Sequence, residues 1–368
     1  MNPKLKALFS FLMITALVFG FADIYFPLEE YSFERLHVFL FNLCTGGTIL
    51  LFYTRGQAGL TFEPALFFIT SLAYALSAFL FLYPVTILLS FIMAAMVEKA
   101  RIRRFSFLPF DFFKRSVPVS EKFHQASLLC LSMGLVISTL VILNNEYFRI
   151  IHLDKLKLDT FFLGFSFPLS LITLSVVFLM LDGKAAPHAE KLSEICFWTI
   201  TAGVIVFFLF ILLEMFIPQI FVTTALFLGV LTVFYLYGRY GEKLQQKHFL
   251  SSGIGFLITT AVTGIVYIFF QLSPGYDPEE IKWLLRIHVF ASLYGWNLCG
   301  LAVICRFNDF PIRLHSKSVI AAHWVTALVL APLGTFHMPF AFLAVTGYAF
   351  ITITLFFSSN HKENLNDK

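Results

Sequence analysis

The sequence predicts an all-α, polytopic transmembrane helical bundle of about twelve spans. Of the 368 residues, 58% are hydrophobic and only 13% are charged, and the mean hydropathy is +0.82. A soluble domain of this composition would leave large apolar patches facing water, whereas a bilayer removes that cost. The apolar stretches run continuously for about 17 to 25 residues, which is typical of membrane-spanning helices and not of barrel strands.

Apolar run length places twelve spans along the chain. They are expected at residues 7–27, 34–54, 64–82, 84–100, 122–144, 159–181, 194–217, 219–238, 250–272, 283–305, 317–335 and 338–357. Proline at the junctions near Tyr83, Pro218 and His337 marks either a turn between two spans or a kink inside one longer helix, so ten to twelve spans are allowed.

The whole chain, residues 1–368, is expected to form a single integral membrane domain without a soluble domain. No segment between the predicted spans exceeds about 25 residues, which is too short for a soluble core. The segment 1–6 followed by an apolar run resembles a signal peptide. No small-residue cleavage site follows it, so we expect it to be retained as the first helix.

Basic residues predict the orientation, because Lys and Arg accumulate on the cytoplasmic side of a membrane. With twelve spans, twenty of the 26 basic residues lie on the side of the amino terminus and six on the other, whereas the 22 acidic residues divide equally. We therefore expect both termini in the cytoplasm and the protein in the cytoplasmic (inner) membrane.

The most basic loop spans residues 98–122. Its cations suit contact with anionic lipid headgroups, which would make the loop a topology anchor, and docking of a partner is the alternative. The basic residues are Lys99, Arg101, Arg103, Arg104, Lys114 and Arg115.

Cysteine spacing and the absence of sequence motifs argue against several functions. The five cysteines lie in or beside predicted spans without a CxxC or CxxCH pattern, so no covalent heme, disulfide framework or thiolate zinc site is expected. The sequence contains no P-loop and no GxSxG, and we expect no nucleic-acid partner. No catalytic residue is assigned, and whether the protein is an enzyme stays open.

The pentad Arg-x-His-Val-Phe occurs twice, at residues 35–39 and 286–290. It opens the second and tenth predicted spans, which run in the same direction, so His37 and His288 are expected at matching depth near the outer side. An Asn-Leu-Cys tripeptide also follows each pentad, but one helical turn later in the tenth span, so the flanks do not establish a duplication.

Two imidazoles at equal depth on separate helices are what a bis-histidine heme requires. His37 and His288 are therefore the predicted iron ligands, and Gly46, Gly47, Gly295 and Gly300 would allow a planar group or a neighbouring helix to come close. The alternative is a headgroup anchor in which the arginine of each pentad reaches the interface.

The remaining heme-site candidates are Arg35, Arg286 and His337. Residues two apart lie on nearly opposite helix faces, so the two arginines cannot both flank the ligand and share the face of their histidines. His337, in the outer turn before the last span, is a substitute ligand. His124 and His323 lie near the inner side, where a second heme or a quinone is one interpretation and a structural role the other.

The chain resembles a reduced relative of the large subunit of heme-copper oxidases and nitric oxide reductases. That family has twelve spans, cytoplasmic termini, and a low-spin heme held by one His of span two and one of span ten, which His37 and His288 match. Arg286 stands where the family has the ligand of its second heme. Residues 159–181 and 194–238 contain no His, so the copper-site histidines are absent.

The resemblance implies a membrane b-type cytochrome that carries one low-spin bis-histidine heme, without copper, for electron transfer or for gas or redox sensing. Its candidate partners, beyond the lipid bilayer, are a quinone and other membrane or periplasmic redox proteins. The alternative function is a cofactor-free, multi-span permease or an assembly or accessory protein of a membrane complex. Scarce buried charge makes ion-coupled transport less favoured.

Overall fold

The protein is described here from a computed structural model. It describes residues 1–28, 31–56, 61–153, 155–156, 161–181, 187–242, 246–273, 275–307, 314 and 316–358. These residues form twelve long helices and no β-strand, which confirms the predicted all-α class.

The helices, numbered α1 to α12 in chain order, match the twelve predicted spans one to one. Their bounds are Pro3–Tyr25, Phe33–Thr54, Phe62–Phe79, Tyr83–Arg104, Val119–Phe148, Phe162–Leu179, Pro187–Leu212, Phe216–Tyr240, Gln246–Gln271, Pro278–Cys305, Lys317–Gly334 and Met338–Phe357. A short 3₁₀ helix, Pro109–Phe113, lies in the basic loop between α4 and α5.

All three proline-marked junctions are turns between separate helices. The chain leaves α3 through Phe81 and α7 through Glu214, both in the left-handed conformation that commonly ends a helix. Pro84 and Pro339 then lie in the first turns of α4 and α12, where a missing N–H costs nothing. The break near Pro218 precedes this residue, which lies within the first turn of α8.

The chain is a multi-pass integral membrane protein. Eleven of the helices among the described residues are long and apolar enough to cross a bilayer. The remaining helix, α4, carries Glu98, Lys99, Arg101, Arg103 and Arg104 in its last two turns, which reduces its apolar character. It nevertheless packs between α3 and α5.

Three helices spaced four apart in the chain, α2, α6 and α10, form the centre of the bundle. In their apolar stretches 89%, 72% and 78% of residues are buried, against at most 56% in the other eight spans. Each of the three contacts the other two, and the remaining nine helices pack side by side around them. Contact between α1 and α12 closes this outer ring.

Each central helix contains a widened, π-helical segment. The segments are Phe39–Gly47 in α2, Phe162–Ser166 in α6 and Ala291–Asn297 in α10. Such segments are rare and frequently occur at functional sites. Two outer helices also contain such a segment, Leu143–Phe148 in α5 and Thr326–Leu330 in α11, so what distinguishes the centre is that all three of its helices have one.

Candidate functional site

A cavity of about 400 Å³ lies where α2, α6 and α10 meet, and we call it the central cavity. His37 and His288 both line it, so the structure brings the two predicted ligands to one space. The wall mixes polar and apolar groups, and the other lining residues are Ser32, Glu34, Arg35, Val38, Asn42, Phe161, Phe162, Ser166, Val289, Ser292 and Leu293.

The His37 ring is held by α1 and by a tyrosine of α10. Its Nδ1 atom lies 2.8 Å from the carbonyl oxygen of Ala16 and 3.0 Å from the hydroxyl of Tyr294. A carbonyl oxygen can only accept a hydrogen bond, so Nδ1 carries the proton and donates it. In a neutral His37 the Nε2 atom therefore keeps its lone pair.

The His288 ring is held in a similar way by α9. Its Nδ1 atom lies 3.3 Å from the hydroxyl oxygen of Thr263. That hydroxyl also lies 2.8 and 3.0 Å from the carbonyl oxygens of Thr259 and Thr260, and with its proton directed to either carbonyl it accepts from the imidazole. This arrangement assigns the proton of His288 to Nδ1 and leaves the lone pair on Nε2.

Both histidines thus have the tautomer that suits coordination of a metal through Nε2. Histidine ligands commonly donate their other N–H to a carbonyl, a carboxylate or water, which fixes the ring and raises its basicity. Neither Nε2 atom makes a hydrogen bond within the described residues. A search of these residues finds no group of three or more His, Cys, Asp and Glu side chains that could hold a metal ion.

Arg35 lies at the wall of the central cavity and beside the turn between α3 and α4. Its Nη1 atom donates to the Ala78 carbonyl at 3.2 Å, and its guanidinium group lies 4.8 Å from the ring centroid of Phe81. The side chain is therefore fixed at the cavity wall, where it can pair with an anionic group of a ligand.

Arg286 and His337 do not line the central cavity. Arg286 donates to the Thr335 hydroxyl at 2.9 Å and lies over the Phe336 ring, 4.9 Å from its centroid, in the turn between α11 and α12. His337 precedes α12 and contacts the ring of Phe340. The structure therefore brings Arg35 to the two histidines and leaves the other two candidates at the turn between α11 and α12.

The two Arg-x-His-Val-Phe pentads have equivalent surroundings. In each, the arginine lies over a phenylalanine three residues before a helix-starting proline, Phe81 before Pro84 and Phe336 before Pro339. In each, the histidine contacts the preceding helix, α1 for His37 and α9 for His288. The chain can thus be divided into three groups of four helices, α1–α4, α5–α8 and α9–α12. The first and third groups are structurally similar around the pentads, although the sequences that flank the pentads differ.

His124 and His323, the other two histidines considered for a cofactor, use Nε2 for structural hydrogen bonds. His323 donates from Nε2 to the Tyr294 carbonyl at 2.7 Å. Nε2 of His124 lies 2.8 Å from the Thr54 hydroxyl, which itself donates to the Leu50 carbonyl, so His124 is the donor. No described contact joins these two histidines, and the geometry favours the structural interpretation of both.

The four predicted small residues face neighbouring helices. A Cβ atom added to Gly46 would meet Leu169 of α6, and one added to Gly300 would meet Thr173 of α6. Gly47 faces Phe67 of α3, and Gly295 faces Phe256 of α9. Of the two interpretations, close helix packing is the one that these contacts fit.

Two residues of the site were not predicted from the sequence, Tyr294 and Asn42. Asn42 lines the cavity, is 3% exposed, and its buried side-chain oxygen has no hydrogen-bond partner among the described residues. Each is a polar residue that lies one to two helical turns after the candidate ligand of its own helix, and that spacing is the signal by which the sequence could have indicated it. Which of them faces the histidine depends on helix rotation, which the sequence pattern does not give.

Comparison with models of protein families, with curated proteins and with solved structures found no match to this chain. Function is therefore inferred from the central cavity and its residues.

Proposed function

We propose that this protein is a membrane cytochrome that binds one low-spin b-type heme in the central cavity, which Nε2 of His37 and Nε2 of His288 would hold. A single observation carries the proposal. Two imidazoles on different helices, buried His37 and half-buried His288, line one cavity. Hydrogen-bond partners at Nδ1 of both rings assign the proton to that atom, which would leave Nε2 for iron.

The residues around the cavity suit a heme in three respects. The donor set consists of two neutral imidazoles, which is the set of a bis-histidine cytochrome. Arg35 supplies a cation for a carboxylate substituent. The orphaned oxygen of Asn42 is a buried acceptor that requires a donor from a ligand or a bound water.

When bound, heme would supply one-electron chemistry, and His37 and His288 would hold it. The protein side chains hold the site in place. Ala16 and Thr263 orient the two rings through Nδ1. We assign the protein to electron transfer or to redox or gas sensing, with a quinone or a membrane or periplasmic redox protein as its partner.

The relation to the heme-copper oxidase and nitric oxide reductase large subunit is part of the same proposal. Three observations support it. The chain has twelve long helices among the described residues, the second and the tenth helix each carry a candidate histidine, and both of these helices lie at the centre of the bundle. The absence of histidine from residues 159–181 and 194–238 excludes the family's copper ligands from those helices. We also propose, from the distribution of Lys and Arg, that both termini lie in the cytoplasm and that the protein resides in the inner membrane.

The proposal is tested by a reduced-minus-oxidised visible spectrum and a heme assay on detergent-purified protein. We expect a low-spin b-type spectrum in the wild type that is lost in His37→Ala and in His288→Ala. His188→Ala is the matched control, because that histidine is exposed and pairs with Tyr240 outside the cavity. A folded wild-type protein without heme, purified from heme-sufficient cells, would overturn the proposal and favour a permease or an assembly role.

A further inference from the structure

A glycine of the preceding helix faces each cavity histidine. A Cβ atom built on Gly20 of α1 would lie 2.6 Å from Nδ1 of His37 and 3.0 Å from Cε1. One built on Gly264 of α9 would lie 3.3 Å from Cε1 of His288 and 3.5 Å from its Nδ1. In both cases the edge of the imidazole therefore packs directly on the backbone of a helix.

The residue four positions before each glycine also lies beside the ring. Ala16, one turn before Gly20, accepts the hydrogen bond of His37 Nδ1. Thr260, one turn before Gly264, contributes its backbone beside His288. Residues four apart lie on one helix face, so in both helices a glycine and the group one turn earlier form a shallow notch for the ring edge that carries Nδ1.

We propose that Gly20 and Gly264 are positioning residues that fix the tautomer and direction of the two imidazoles. Without a Cβ atom, each glycine lets Nδ1 approach its acceptor on the preceding helix, and Nε2 is thereby left unprotonated for a metal centre. The role in metal binding rests on the proposed heme function, whereas the control of the tautomer does not.

The middle group of four helices shows what replaces this arrangement when no histidine is present. Gly134 of α5 faces Gly164 in the π-helical segment of α6, and a Cβ atom on Gly134 would lie 2.2 Å from Cα of Gly164. Here the two backbones touch and no side chain lies between them. A glycine on the preceding helix thus recurs in all three groups, but only the first and third hold an imidazole against it.

The test is solid-state ¹⁵N NMR of full-length, histidine-labelled protein in lipid bilayers, prepared from heme-depleted cells. The signals of the two cavity histidines are assigned by their loss in His37→Gln and His288→Gln. We expect the wild-type signals of both rings to show protonated Nδ1 and unprotonated Nε2. In Gly20→Ala, most of the His37 signal should shift to the opposite tautomer or to a mixture of the two.

Two further variants keep the test decisive. Gly264→Ala introduces a milder contact than Gly20→Ala, so its effect on His288 should be smaller, and it reports on the proposal if Gly20→Ala does not fold. Gly203→Ala is the matched control, because its Cβ would lie 2.9 Å from the flexible end of the Leu226 side chain and would contact neither histidine. This control should leave both histidine signals unchanged.

The outcomes separate the two proposals. Wild-type tautomers in both folded Gly→Ala variants would overturn the positioning role, even if the wild type binds heme. The expected tautomer shifts in a protein that never acquires heme would support the positioning role and reject the cytochrome. In heme-loaded samples, the positioning role further predicts an altered low-spin EPR signal in Gly20→Ala and an unaltered one in Gly203→Ala.

Discussion

The hydroxyl of Tyr294 in α10 lies 3.0 Å from Nδ1 of His37 in α2. This contact joins two of the three central helices at the cavity. Because Nδ1 donates to the Ala16 carbonyl at 2.8 Å, the tyrosine oxygen provides a second acceptor for the same N–H. Both acceptors increase the negative charge on the imidazole, which would stabilise a ferric iron bound at Nε2.

Tyr294→Phe should therefore raise the reduction potential of the heme. The shift equals the difference in hydrogen-bond energy between the ferric and ferrous states, so the whole net bond of about 0.5–1.5 kcal/mol sets its upper limit at about 20–60 mV for one electron. The measurement is a spectroelectrochemical titration of purified protein. Tyr348→Phe is the matched control, because its ring packs on Tyr294 but its hydroxyl makes no described hydrogen bond to His37. Equal potentials in wild type and Tyr294→Phe would contradict this role.

His323→Phe should destabilise the protein and leave the heme content of the folded fraction unchanged. The change keeps a flat ring between Phe249 and Phe256 but removes the buried N–H that donates to the Tyr294 carbonyl. Removal of the buried donor of a carbonyl's hydrogen bond lowers the free energy of unfolding by about 1–3 kcal/mol. Thermal unfolding in detergent provides the measurement.

His124→Phe is the comparison for that variant. Its partner, the Thr54 hydroxyl, keeps its own hydrogen bond to the Leu50 carbonyl when the imidazole is removed. We therefore expect a smaller loss of stability than in His323→Phe. Loss of heme from folded His323→Phe protein would instead place this histidine in the cofactor site.

The helices could be predicted from the sequence because apolar run length alone decides where a chain crosses a bilayer. All twelve predicted spans correspond to helices, including the pairs divided near Tyr83, Pro218 and His337. The ends were less accurate. For example, α10 begins at Pro278, five residues before the predicted start at residue 283. The Asp277 side chain accepts a hydrogen bond from the Glu279 N–H and so caps the helix ahead of the apolar run.

The site was only partly predictable, because helix rotation is set by packing. The repeated pentad identified His37 and His288, and the depth of a residue follows from counting along a helix. The directions of Arg286 and Tyr294 do not follow from counting. A π-helical segment such as Ala291–Asn297 shifts the register of the residues after it relative to an ideal α-helix, and hydropathy shows no sign of it.

Removal of Glu194 should cost more stability than removal of its partner Lys122. The Lys122 ammonium is buried, with 1% of its side chain exposed, and lies 2.6 Å from the Glu194 carboxylate, which is 24% exposed. Glu194→Ala leaves a buried cation without its counter-charge, for which a loss of about 3–5 kcal/mol is typical. Lys122→Met leaves the Glu194 carboxylate, which water can reach, so this variant should lose less unfolding free energy than Glu194→Ala.

The double variant completes this measurement. In Lys122→Met/Glu194→Ala no buried charge remains, so its unfolding free energy in detergent should be close to that of Lys122→Met alone. An equal loss in the two single variants, with additive effects in the double variant, would show that the pair is not coupled.

The loop between α4 and α5 displays aromatic side chains on a fixed backbone. Buried Arg101 donates to the carbonyls of Ser106 and Phe107 at 3.0 and 2.8 Å. Asp111 accepts hydrogen bonds from the Lys114 ammonium and the Ser106 hydroxyl, which lower the pKa of its carboxyl to about 2. The exposed apolar side chains in this loop are Phe107, Leu108, Phe110 and Phe113.

We expect this loop to insert its aromatic rings into the lipid interface, because exposed phenyl rings beside cations suit a membrane surface with anionic headgroups. A spin label at Phe110→Cys, in a Cys130→Ala background, should be more accessible to oxygen than to a polar nickel complex. Cys130 is replaced because it is the native cysteine that is only half-buried. The matched label at Arg115→Cys should show the reverse preference. If the label at position 110, in bilayers that contain no other protein, is more accessible to the nickel complex than to oxygen, the result would contradict the lipid anchor and favour docking of a protein partner.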